Sequence, residues 1–210
     1  MRGLFKGCCL ILSLMITIPA MAYIDTDLDH HWFIITNIGV GNYQHVFNAD
    51  GRTLLGRVGF GYDIAQSDAF IVGLELGTQN GNTMRLLIPQ ETLDTLGGEP
   101  IEGTIKPIPD ALLTLKIAPL MTPAYLFLKG GVSYRHWQMQ RDSVNDLSEY
   151  TPEAQGGIGF KVQEYLDVVL TYQYMFGKTP RINADFETEQ LFISHIPSQQ
   201  AIFIGLSLIL

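Results

Sequence analysis

The sequence predicts an all-β chain, an eight-stranded antiparallel up-and-down transmembrane β-barrel, from three observations. Eight segments alternate apolar and polar residues with period two, the repeat of a strand. One face of every segment carries no charge, while the other is built from Gly, Ala and Ser beside a few charged residues. The connections between segments alternate short and long. Beyond Ala22 there is no long uninterrupted apolar run, so apolar character is spread over strands and not held in a spanning helix.

The segments follow in order. The first sets Trp32, Ile34, Thr36, Ile38 and Val40 on one face, with Asn37, Gly39 and Gly41 on the other. The second sets Leu54, Gly56, Val58, Phe60, Tyr62 and Ile64 against Leu55, Arg57, Gly59, Gly61 and Asp63. In the third, Phe70, Val72, Leu74 and Leu76 oppose Ile71, Gly73, Glu75, Gly77 and Gln79. The fourth sorts Ala111, Leu113, Leu115 and Ile117 from Asp110, Leu112, Thr114 and Lys116. The fifth alternates Leu126, Leu128, Gly130, Val132 and Tyr134 with Phe127, Lys129, Gly131, Ser133 and Arg135. The sixth sets Ala154, Gly156, Ile158, Phe160 and Val162 against Glu153, Gln155, Gly157, Gly159 and Lys161. The seventh sets Leu166, Val168, Leu170, Tyr172, Tyr174 and Phe176 against Asp167, Val169, Thr171, Gln173 and Met175. The last sets Ile202, Ile204, Leu206, Leu208 and Leu210 against Ala201, Phe203, Gly205, Ser207 and Ile209.

A soluble β-sandwich or a lipocalin-like barrel also alternates, so the direction of the apolar face needs separate grounds. Small residues on the polar face suit the crowded interior of a narrow barrel better than a solvent-facing sheet, which favours Thr, Lys and Glu. The strands run to about 10 residues, the length a tilted strand needs to cross the hydrocarbon layer. Residues 65–68, 119–123 and 163–165 make tight connections, whereas those around 48–51, 80–107, 138–150 and 177–199 are longer. Outer-membrane barrels have short periplasmic turns and longer extracellular loops.

The N-terminus has Arg2 and Lys6, an apolar run from Cys8 to Ile18, then Pro19 and Ala20-Met21-Ala22. This is the layout of a cleaved secretory signal peptide, residues 1–22, leaving 23–210 as one barrel domain. Both cysteines, Cys8 and Cys9, fall in that segment and neither follows a lipobox, so the mature chain has no thiol, disulfide or Cys metal site. Losing Arg2 and Lys6 leaves 11 Lys and Arg against 21 Asp and Glu, a formal charge of −10. That excess argues against nucleic acid as a partner.

The strands Gly56 to Tyr62 and Phe127 to Tyr134, with the terminal Gly205 to Leu210, resemble the small outer-membrane barrels related to OmpA, OmpX and the opacity-type surface proteins. The resemblance implies a Gram-negative outer-membrane location and contact with membrane lipid and lipopolysaccharide. It also implies that Gly205, Leu208 and Leu210 belong to a C-terminal signal read by the barrel-assembly machinery. This chain departs in ending on Leu210 where Phe is usual, and in having Phe203 at a usually polar position. No separate peptidoglycan-binding domain is expected.

The charges assigned to the lumen are Arg57, Lys116, Lys129, Arg135 and Lys161 with Asp63, Glu75, Asp110, Glu153 and Asp167. Signs balance, and buried charges need partners. Across hairpins the expected pairs are Arg57 with Glu75, Arg135 with Glu153 and Lys161 with Asp167. Such a network fills a lumen that eight strands leave narrow; a small ion pore is the alternative. Trp32, Tyr62, Phe70, Tyr134, Trp137, Tyr172, Tyr174 and Phe176 are expected in interfacial girdles. The long loops hold an acidic excess, including Glu91, Asp94, Glu99, Glu102, Asp142, Asp146, Glu149, Asp185, Glu187 and Glu189, and are the expected contact with a host or envelope protein. No calcium-loop spacing is present.

No catalytic, metal or cofactor residues are expected. Tyr134-Arg135-His136-Trp137 is distantly similar to the His-x-Ser region of lipid A deacylases, but Gln138 stands where the nucleophilic Ser belongs. The reading is a structural or surface-interaction barrel, with a channel or a lipid-modifying enzyme as alternatives.

Overall fold

The computed structural model describes residues 31–43, 52–67, 69–85, 101–117, 123–185 and 190–210. The expected signal peptide, the first long connection and the acidic residues Glu91, Asp94, Glu99, Glu187 and Glu189 lie outside them, as does the side chain of Asp185. The strands in chain order are β1 (Trp32–Tyr43), β2 (Arg52–Gln66), β3 (Phe70–Gln79), β4 (Thr83–Arg85), β5 (Glu102–Ile105) and β6 (Ile108–Ile117). They continue as β7 (Ala124–Met139), β8 (Leu147–Gln163), β9 (Leu166–Met175), β10 (Ile182–Asp185), β11 (Gln190–Ile193) and β12 (Gln199–Ile209).

Eight of them form the wall, in the order β1-β2-β3-β6-β7-β8-β9-β12, and β12 pairs back onto β1. Every neighbouring pair is antiparallel. Closure leaves no wall strand with an unpaired edge at mid-height, the condition for a sheet to survive in hydrocarbon. The other four strands belong to the longer connections: β4 pairs β5, β5 continues the wall onto β7, and β10 pairs β11. The step from β5 to β6 falls at Pro107 and Pro109. Neither has an N–H to give, and the pairing with β7 lapses between Ile105↔Trp137 and Asp110↔Ser133.

Adjacent residues separate sharply by face. Leu54 is 67% exposed and its neighbour Leu55 is fully buried. Ile38, Val58, Leu74, Leu113, Leu128, Leu170 and Ile204 all point outward, while Arg57, Glu75, Asp110, Gln155 and Gln173 are buried inside. A soluble sandwich or barrel has the opposite polarity, so this inversion selects the transmembrane barrel. Aromatic clusters bound the apolar band. At the turn end Trp32 stacks on Phe60 at 4.8 Å and lies 4.5 Å from Tyr62. At the loop end Tyr134 meets Tyr150 at 5.0 Å and Tyr174 meets Phe176 at 4.8 Å. Trp137 does not join the girdle expected for it. It is 2% exposed, because its odd position in β7 turns it inward.

Glycines on the inner face admit large side chains from across the lumen. A Cβ on Gly77 would collide with the Arg57 guanidinium and with Asp110, and one on Gly159 would meet the ring of Tyr125. Small residues opposite large ones are how a narrow barrel fills its interior.

A second core lies at the loop end. Tyr43, Met84, Ile101, Ile105, Ile108, Trp137, Met139, Val144, Met175, Leu191, Ile193 and Ile196 are buried together. They come from the upper ends of wall strands and from three connections, which pack into a lid over the lumen.

Candidate functional site in the lumen and beneath the loops

At mid-lumen the inward charges meet. The Arg57 guanidinium donates from Nη1 to Glu75 Oε1, and from Nε and Nη2 to the two oxygens of Asp110, the Nε contact at 2.9 Å. Lys129 Nζ donates to the other Glu75 oxygen at 2.7 Å. All four residues are buried. Two cations and two anions thus neutralise one another where an isolated ion would cost several kcal/mol. The ladder does not place Arg57 opposite Glu75. Its partner there is Gln79, and Glu75 lies opposite Gly61. Strand tilt brings the two together along a diagonal, across the glycine pair Gly59 and Gly77 that lies between them in the ladder.

Nearer the turn end Lys116 Nζ lies 3.2 Å from Asp63 Oδ2 and 4.3 Å from the centre of the Phe33 ring. Tyr125 donates its hydroxyl to Asp167 Oδ2 at 2.8 Å. A void between Phe33, Glu75, Lys116, Tyr125 and Lys129 measures about 20 Å³, room for one water and not for a solute.

Two of the pairs expected across hairpins are not formed. Lys161 stands exposed at the turn end of β8, beyond the enclosed lumen. Although it faces Asp167 in the ladder, that carboxylate is engaged by Tyr125. Arg135 and Glu153 are both buried on the inner face, yet they do not bond. Glu153 accepts from Gln155 Nε2 at 2.6 Å and Gln173 Nε2 at 2.7 Å. Arg135 donates from Nη2 to the Pro197 carbonyl at 2.8 Å. The ladder explains the separation, since Arg135 lies opposite Glu149, two residues above Thr151 and four above Glu153.

The three residues of the expected assembly signal lie on β12 and just past it. Gly205 faces inward opposite Asn37, whereas Leu208 and Leu210 point outward, 39% and 61% exposed. On the outer wall His136 Nδ1 is 2.7 Å from the hydroxyl of Ser148, its ladder partner. A serine thus lies beside His136 across the sheet, a pairing that linear spacing does not reveal. Ser148 is exposed and His136 half-buried, and among the described residues no carboxylate hydrogen-bonds the ring. A hydrolytic triad needs that third group. No group of His, Cys, Asp and Glu among the described residues is arranged to hold a metal ion.

No protein-family model matches the sequence, and no curated protein matches it. Solved structures do resemble the fold. The outer membrane protein OprG from Pseudomonas aeruginosa superposes with a TM-score of 0.54 at 11% identity, covering 84% of this chain and 95% of that one. Ail, the attachment invasion locus protein of Yersinia pestis, crystallised with the heparin analogue sucrose octasulfate, gives 0.51 at 8% identity, covering 86% and 97%. At these identities the likeness is one of fold, that of the small outer-membrane barrels.

Proposed function

We propose that this chain is an exported outer-membrane barrel whose lumen is closed by its own side chains and which acts through the surface of its long connections. The observation that carries the reading is the buried apolar lid. The described parts of three connections share one core with Trp137, Met175 and Tyr43, which supports a defined surface of the kind binding needs. The charge-neutral network and the small void beneath it support a plug over a pore.

The acidic excess of the loops favours a partner that presents cations: a basic patch on a host or envelope protein, or lipopolysaccharide bridged by divalent ions. A sulfated sugar such as the sucrose octasulfate crystallised with Ail would be repelled. Three measurements test the reading. The protein should migrate as a heat-modifiable band in outer-membrane fractions and should give no stepwise conductance in planar bilayers. Protease added to whole cells should cut within 80–107 or 177–199. Steady single-channel currents would overturn the plug, and cleavage at Gln66 or Gln163 in intact cells would reverse the orientation.

The His136–Ser148 pair favours a second reading, acyl-ester chemistry on lipid at the outer rim. Incubation with lipid A decides it: fatty acid released by the wild type and not by Ser148→Ala would replace the first reading.

A further inference from the structure

The two buried arginines of this barrel are treated in opposite ways. Arg57 is contacted by two carboxylates. Arg135, with no exposed surface at all, is contacted by none among the described residues. Its Nη2 reaches the Pro197 carbonyl, and its Cζ sits 5.9 Å from the centre of the Tyr43 ring, but Nε and Nη1 have no hydrogen-bond partner among the described residues. A carbonyl and an aromatic face carry no net negative charge, so the cation is not neutralised by contact. Glu149 and Glu153 act on it through space only. One oxygen of Glu153 is taken by two glutamine amides, and Glu149 lies 3.5 Å from the Ile196 amide.

The residues around this guanidinium share the same deficit. The Tyr43 hydroxyl, the Trp137 indole N–H and the Gln199 side-chain amide are all buried and all lack hydrogen-bond partners. They adjoin one another. The Tyr43 and Trp137 rings meet edge to face at 6.2 Å, Gln199 is the ladder partner of Tyr43, and Trp137 is two residues along β7 from Arg135. Buried polar groups are almost always satisfied; here the unpaired donors, Arg135 Nε and Nη1, the Tyr43 hydroxyl, Trp137 Nε1 and Gln199 Nε2, outnumber the one unpaired acceptor among these four residues, Gln199 Oε1, and so mark a place where an acceptor belongs.

We propose that Arg135, Tyr43, Trp137 and Gln199 form a binding site for a small monovalent anion, a halide or a carboxylate, beneath the loop lid. The charge is limited to one because Glu149 and Glu153 face the same guanidinium and would repel a phosphate dianion. The size is limited by the apolar side chains of the lid, which include Met175 and Ile196. The site is separate from the mid-lumen network and from the outer loop surface.

The chain has two tryptophans, Trp32 in the turn-end girdle and Trp137 in the site. In the full-length barrel, folded in a zwitterionic detergent, Trp32→Phe leaves Trp137 as the only indole. Bromide quenches indole on contact, so titration against sulfate, a dianion of the kind the site would repel, at constant ionic strength reads occupancy directly. Saturable quenching that chloride reverses is expected. Acetate reversing it as well assigns carboxylates to the site, and acetate failing to do so assigns halides; both support an anion site. Adding Arg135→Gln should abolish saturation. Should that variant not fold, Tyr43→Phe keeps the ring and loses one donor, and should raise the half-saturating bromide concentration several-fold. Quenching that stays linear in bromide in the Trp32→Phe protein, or that chloride does not reverse, overturns the proposal; a guanidinium neutralised by Glu149 and Glu153 through solvent would give that result.

Discussion

The lumen and the lid enclose the same barrel by different physics. At mid-height four charged side chains fill the interior, and each depends on the position of the others. At the loop end a dozen apolar residues do so by burial, with no directional requirement. The ionic plug specifies geometry but is intolerant of losing a member, whereas the apolar lid degrades by increments. The described parts of three connections are thus part of the folded core.

The largest loss should come from Glu75→Gln, which takes the negative charge from between Arg57 and Lys129 and leaves Lys129 buried without an ion-pair partner. Such a break costs about 3–5 kcal/mol, and urea unfolding followed by the heat-modifiable band should register it. Asp110→Asn should cost less, since Arg57 keeps Glu75. Equal losses would mean that the four charges do not act as drawn. In the lid, Leu191→Ala should cost about 2–4 kcal/mol through the cavity it leaves. That loss should appear first as faster protease cutting in the connections, with the barrel band intact. Simultaneous loss of both would merge the two regions into one cooperative unit. Tyr125→Phe leaves Asp167 without its donor and should cost about 1–3 kcal/mol. Lys161→Ala, at an exposed position, should change stability by no more than about 0.5 kcal/mol; a larger effect would return Lys161 to the lumen.

The wall was readable from the sequence because its rule is local. Period two assigns every residue to a face, and Leu54 beside Leu55 shows how completely that assignment holds. Which inward charges meet is not local. Arg57 and Asp110 are 53 residues apart and joined through the stagger of the strands, which no hairpin pattern encodes. The same stagger separates Arg135 from Glu153. Lys161 had the right parity but lay past the height at which the barrel encloses anything. The lid was hidden for another reason: β4, β5, β10 and β11 are three or four residues long, too short for alternation to register. Its members Ile101, Leu191 and Ile196 read as scattered apolar residues in loops. Trp137 was drawn to the girdle by its residue type, although its odd position in β7 already aimed it inward.

The seam between β1 and β12 has a consequence in time. It joins Phe33 to Ile209, residues from opposite ends of the described chain, so the wall cannot be completed until its last strand is present. Contacts of such sequence separation make folding slow, because the loop they close must be ordered before they form. Until then β1 and β9 are both open edges, each able to pair with another chain. A variant that weakens β12 should therefore show its defect in yield before it shows it in the stability of the molecules that do close.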